Sequence, residues 1–290
     1  MLRLSINELT TYRWSFEEDL LFAREAGYQG IGVWLRKLRD FGAERAIELV
    51  HESGLTVSNV SWEGGFTGRD VATAEENIAS ARDTLDLCAE LGAECLVVYS
   101  GARNGHTQRH ANRLLRSALD QLLPHADRTG VALAVEPMHA ACADGWTFLT
   151  GLPETLRLAQ EYETPALRLA LDTYHFPVGE ADWPLLRELA PYLAVLHLGD
   201  LATPHGLDHA RVPLGKGRAP LTGILQSLID GGYDGFCDVK LIGPEIECLD
   251  YHELLDQSRR VFDELDCITP ARSNPAPMPA CNATSLSTTG

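Results

Sequence analysis

The sequence predicts a single α/β domain, a closed (β/α)8 barrel, over residues 1–266. Three observations carry this prediction. Strand-like and helix-like segments alternate along the whole stretch, in eight pairs of about 30 residues each. Their sum matches the roughly 250 residues typical of such barrels. No glycine-rich phosphate loop follows the first strand, which argues against the rival arrangement, an open doubly wound sheet.

LRLSIN (2–7) alternates apolar and polar residues and is the first strand. Ser15 caps a helix with Glu17, Glu18 and Asp19 in its first turn, where the helix dipole favours acids, and Gly27 ends it. QGIGVWL (29–35) is the second strand. A helix over 41–53 closes at Gly54, and LTVSNV (55–60) is the third strand. The clearest helix is 71–91: Val71, Ala74, Ile78, Ala81, Leu85 and Cys88 recur at three- and four-residue spacing before Gly92. ECLVVYS (94–100) follows as a strand. A helix over 108–129 carries Ala111, Leu115, Ala118, Leu122 and Leu123 and stops at Gly130, leading into VALAVEP (131–137). The rest reads as helix 152–163, strand 167–172, helix 182–190, strand 192–198, a long loop 199–218, helix 219–230, strand 235–241 and helix 250–266. Residues 267–290 are rich in Pro, Ser, Thr and Ala with few large apolar side chains, which predicts a disordered tail. The sequon at Asn282 is counted as chance.

Composition narrows the function. The net charge of −17 repels phosphate backbones, so no nucleic-acid partner is expected. Seven cysteines show no CxxC or zinc-finger spacing, and an odd count without a framework points to a reducing compartment. No signal peptide and no run of membrane-spanning length stand out, so the expected location is cytoplasmic and no membrane partner is expected.

Chemistry gathers at strand ends. AVEP, ALDTYH and AVLHLGD are apolar runs that stop on Glu136, Asp172 and His197. Polar groups at such places need a partner: either a divalent cation satisfies all three, or each is hydrogen-bonded separately to loop backbone. GFCDVKLIG presents Asp238 and Lys240 instead. His175 lies three residues beyond Asp172, where it binds a substrate hydroxyl or shuttles a proton, or stands as a loop histidine in water. His139 follows Glu136 in the same way. Arg211, in the longest loop, either clamps a substrate or is a surface charge. Trp62 and Trp34 either wall an apolar side of a pocket or pack. His205 and His209 read as solvated.

This ordered set resembles the xylose-isomerase-like TIM barrels, in particular the sugar phosphate isomerase/epimerase family. VEP, LDTYH, HLGD, RVPLGKG and GYDGFCDVKLIG carry the likeness, which spans about residues 1–266. The resemblance implies a small polyhydroxylated keto substrate, a sugar, cyclitol or secondary-metabolite precursor. It implies one Mn2+, Mg2+ or Co2+ ion held by Glu136, Asp172, His197 and a second Glu, and relatives that often form homo-oligomers. It also implies proton abstraction next to a carbonyl, either as isomerisation and epimerisation or as the elimination of a lyase. Endonuclease IV of the same superfamily needs more rim histidines and acids than this chain offers.

The chain departs from the pattern where the second Glu belongs, because position 240 is Lys. Three readings follow. Asp238, about 7 Å lower on the same face, reaches the metal. The metal keeps three protein ligands. Or the Lys240 ammonium replaces the metal charge, as a catalytic group or in a non-catalytic barrel.

Overall fold

In the computed structural model, which describes residues 2–68, 72–176, 178–202 and 211–268, eight parallel strands close into a barrel. In chain order they are Arg3–Asn7, Gly30–Trp34, Thr56–Gly64, Cys95–Tyr99, Ala132–Val135, Leu167–Asp172, Leu193–Leu198 and Phe236–Val239. Each pairs with the strands before and after it, and the eighth pairs with both the seventh and the first. Helices cover the outside, and a two-stranded ribbon, Asp200–Leu201 with Arg211–Val212, lies beyond the seventh strand. No helix among the described residues is long and apolar enough to cross a membrane.

Alternation along each strand sorts residues by size and polarity. One parity packs large side chains against the helices: Leu4 and Ile6, Leu96 and Val98, Leu133 and Val135, Leu169 and Leu171, Leu196 and Leu198, Cys237 and Val239. The other parity points into the barrel. Its lower part is a small cluster of Cys95, Val97, Ala134, Ala170 and Val195. Continuing the same parity upward puts Glu136, Asp172, His197 and Lys240 at the C-terminal mouth, where barrel enzymes do their chemistry.

Local signals set the helix ends. The helix Phe16–Glu25 starts at a Ser15–Glu18 capping box. Gly54, Gly92 and Gly130 end their helices in the left-handed conformation, as the sequence predicts. The expected helix over 41–53 is Ala43–Ser53, and a helix that was not expected, Leu35–Phe41, precedes it, with Gly42 at φ 108° between the two. The helix expected from Val71 begins at Ala74, where a Thr73–Glu76 capping box starts it, and Val71 lies outside the described residues. The third strand runs on to Gly64, so Trp62 sits inside it and not past its end. The last helix, Tyr251–Ile268, takes in two residues expected to be tail. Residues 269–290, Asn282 among them, and His205 and His209 lie outside the described residues.

Beside the first strand, Glu8 and Asp19 form a buried acidic pair. Glu8 accepts the Trp34 N–H at 2.6 Å, and Asp19 accepts from Thr11 Oγ1 at 2.6 Å and pairs with Lys37. Burial raises Glu8 well above the usual range, the Asp19 charge adds to this, and Lys37 only partly offsets it. Burial likewise lifts Asp19 to about 6 against the pull of Lys37. A raised folded-state pKa contributes stability below the unfolded value and loses it as pH rises. Glu8→Gln is therefore expected to stabilise the protein at pH 8 by on the order of 1 kcal/mol and to change little at pH 4. Thermal melts at the two pH values check this, and an equal effect at both contradicts it.

Candidate active site

Four groups that the sequence scatters over a hundred residues meet in the mouth. Glu136 follows the fifth strand, and its N–H donates to Val98 O at 2.9 Å. Asp172 ends the sixth strand in register with His197 on the seventh. Lys240 follows the eighth, and its N–H donates to Leu198 O at 2.9 Å. All four side chains are buried.

Lys240 is the centre of the set. Its Nζ donates to Glu136 Oε1 at 2.9 Å, lies 3.3 Å from Asp172 Oδ2 and 3.3 Å from His197 Nδ1, and stands 4.9 Å from the centre of the Trp62 ring. His197 Nδ1 lies 2.7 Å from Glu136 Oε1. An ionised carboxylate only accepts, so that nitrogen carries the proton. Trp62 donates its indole N–H to Glu136 Oε2 at 3.2 Å. Burial alone pushes the Glu136 carboxyl up, but the Lys240 charge and the His197 bond outweigh it and hold the group at about 2. Burial acts the same way on Asp172, and Arg211 and Lys240 together hold it well below the carboxylate range.

Arg211 is neither a surface charge nor spread toward solvent. Its guanidinium is buried, donates to both Asp172 oxygens at 3.0 Å and to Lys240 O at 3.0 Å, and lies 4.3 Å from the Tyr174 ring centre. Its fork therefore orients Asp172. Gly199 makes room for it: a Cβ there would come within 2.6 Å of Arg211 Nη1. The rest of the RVPLGKG loop is tied to Asp200, which accepts N–H bonds from Gly215, Gly217 and Ala219 at 2.9–3.0 Å.

Asp238, expected to reach a metal, lies one layer down. It accepts from Ser5 Oγ at 2.7 Å, Asn7 Nδ2 at 2.7 Å and Asn59 Nδ2 at 2.9 Å, and only its 3.7 Å approach to His197 Nε2 links it to the mouth. Gly32 leaves space for this network, since a Cβ would come within 2.6 Å of both Asn7 and Asp238. Sequence reasoning missed Ser5, Asn7 and Gly32, although their parity places them inside the barrel, and Asn59, which shares the parity of the outward-packed Val57 and joins them through a register shift between the second and third strands.

His175 and His139 are buried, not solvated, and their rings stand 5.0 Å apart. Trp34 and Trp62 do share a pocket wall. They line a cleft of about 300 Å³ with Tyr99, Arg36, Arg39 and Trp146, the last a residue the sequence did not single out.

Glu136, Asp172 and His197 offer ligand atoms within 4.8 Å of one another, enough to hold an ion. Lys240 changes the balance. Metal–oxygen bonds of about 2.1 Å and the 2.9 Å Lys240–Glu136 contact leave an ion on Glu136 Oε1 no more than about 5 Å from the ammonium. Repulsion there is on the order of 6 kcal/mol at an effective dielectric near 20. The set is already neutral, with Glu136 and Asp172 facing Lys240 and Arg211. An ion and the Lys240 ammonium do not fit this site together.

The pattern described as xylose isomerase-like TIM barrel matches residues 20–265. A ketose 3-epimerase from Arthrobacter globiformis is 28% identical over 223 residues, covering 73% of this chain and 72% of its own length. Among solved structures, a Sinorhizobium meliloti 1021 protein superposes with a TM-score of 0.84 at 24% identity, over 90% of this chain and 98% of its own. The IolI protein, crystallised with a zinc atom, gives 0.81 at 19% identity, over 93% and 100%. With the closed barrel and the family pattern covering most of its length, the chain belongs to the xylose isomerase-like TIM barrels.

Proposed function

We propose that this protein is an isomerase or epimerase of a small polyhydroxylated keto compound, and that the Lys240 ammonium supplies the positive charge at its centre. The observation that carries this reading is the buried contact between Lys240 Nζ and Glu136 Oε1 at 2.9 Å in the barrel mouth. It is supported by the likeness to a ketose 3-epimerase. That curated relative is an epimerase, and nothing comparable favours the elimination of a lyase.

The chemistry follows from charge. Glu136 takes a proton from the carbon beside the substrate carbonyl, and the electron pair moves onto the carbonyl oxygen. Lys240 donates to that oxygen and stabilises the enediolate. At rest, Glu136 is a weak base because Lys240 and His197 hold it at about 2. A carbonyl oxygen that draws the ammonium away raises the basicity of Glu136 when the proton must move. The hydroxyl proton passes between the two enediolate oxygens, and Glu136, after exchanging its proton with solvent, protonates the neighbouring carbon to complete a one-base isomerisation. Arg211 keeps Asp172 oriented throughout, and Trp34, Trp62 and Trp146 offer apolar faces to the C–H side of the substrate.

Incubation with ketoses, aldoses, their phosphates and keto-cyclitols in D2O, followed by NMR, tests the reading. One class is expected to gain deuterium at the carbon next to the carbonyl and to convert to its isomer. Absence of exchange across all of them overturns the proposal and leaves a non-catalytic binding barrel.

A further inference from the structure

A second buried group lies outside the set that carries the proposed reaction. His139, Cys142 and His175 offer ligand atoms that all lie within 4.8 Å of one another, and all three residues are buried. Cys142 Sγ is 3.7 Å from His139 Nε2. In a tetrahedral zinc site, bonds of about 2.3 Å to sulfur and about 2.0 Å to nitrogen put those atoms about 3.5 Å apart. His139 and Cys142 bracket the short helix Ala140–Cys142 after the fifth strand, and His175 follows the sixth.

We infer that this trio is a zinc-class metal site that ties the loop after the fifth strand to the loop after the sixth. One thiolate and two imidazoles select zinc or cobalt over manganese and magnesium, which prefer oxygen. Binding takes the proton from the Cys142 thiol and releases it to solvent. Coordination through His139 Nε2 moves the ring proton to Nδ1, so the 3.2 Å bond from the Ala141 N–H is given up for the metal bond. His139 and His175 then act as ligands, not as substrate contacts. The site also shapes the cleft. Cys142 O accepts the Trp146 N–H at 2.9 Å, and the Trp146 ring stands 5.7 Å from Trp62 and 5.4 Å from Tyr99. An ion on Cys142 thus fixes the turn that sets one wall of the pocket. The inference does not rest on the proposed reaction.

Cobalt titration of the full chain, followed by absorption, is the test. One equivalent of Co2+ is expected to give thiolate-to-cobalt charge transfer in the near ultraviolet and the visible bands of a tetrahedral ion. Cys142→Ser is expected to abolish the charge-transfer band. His139→Gln and His175→Gln are expected to weaken Co2+ binding by at least about 100-fold. Lys240→Met, which alters only the neighbouring set, is expected to keep the band. No charge-transfer band in the wild type, or a band that survives in Cys142→Ser or in both histidine variants, overturns the inference. If Cys142→Ser fails to fold, the histidine variants carry the same decision.

Discussion

Lys240→Met is expected to destabilise the protein by about 3–5 kcal/mol, the cost of leaving buried carboxylates without their cation. Glu136 loses its 2.9 Å partner, and Asp172 is left with the Arg211 guanidinium and the Tyr174 N–H. Turnover is expected to fall by about 10²–10³-fold, because the developing oxyanion loses its donor. Lys240→Glu gives the opposite signature. It adds a third carboxylate beside Glu136 and Asp172, so the protein melts early alone and is expected to regain stability when Mn2+ is added. The wild type, whose ammonium fills that place, is expected to melt at the same temperature with and without Mn2+. Melting curves and steady-state rates of the three proteins check this. A wild type that Mn2+ stabilises as strongly as it does Lys240→Glu contradicts the assignment.

Glu136→Gln is expected to lose about 10²–10⁴-fold in rate with the fold intact, the usual contribution of a general base. Deuterium exchange next to the carbonyl is expected to vanish with it. The variant also separates catalysis from pH-dependent stability. Glu136 is held at about 2 in the folded protein, below an ordinary Glu. A depressed folded-state value contributes stability above the unfolded pKa and loses it as pH falls from about 4.5 toward 2. Glu136→Gln is therefore expected to lose that stability in the neutral region and to converge with the wild type as pH falls toward 2, which flattens the acid limb of its stability curve. An unchanged acid limb would mean that Glu136 is not paired as described.

Much of this site can be read from the chain because strand parity is a one-dimensional signal. Apolar runs that stop on Glu136, Asp172 and His197 announce a shared rim, and two-residue spacing puts Asp238 and Lys240 on one face. Depth is harder to read. Nothing in GFCDVKLIG says that Asp238 is already occupied, because its partners Ser5, Asn7 and Asn59 come from the first and third strands. For Arg211 the sequence left a substrate clamp and a surface charge both open, because its burial depends on Gly199, which leaves room for the guanidinium beside Asp172. Cys142 and Trp146 sit in a turn without periodicity, and only the folded loop brings them to the mouth. The start of the helix at Ala74, by contrast, was readable from the Thr73–Glu76 capping box, which local spacing alone defines.

The proposed function requires the Lys240 ammonium, and not a metal ion, between Glu136, Asp172 and His197. Anomalous diffraction from wild-type crystals soaked in Mn2+ addresses it directly. The account predicts no manganese peak there and Lys240 Nζ in hydrogen-bond contact with Glu136. A manganese peak about 2.1 Å from Glu136 and Asp172, with Lys240 turned away, would contradict it.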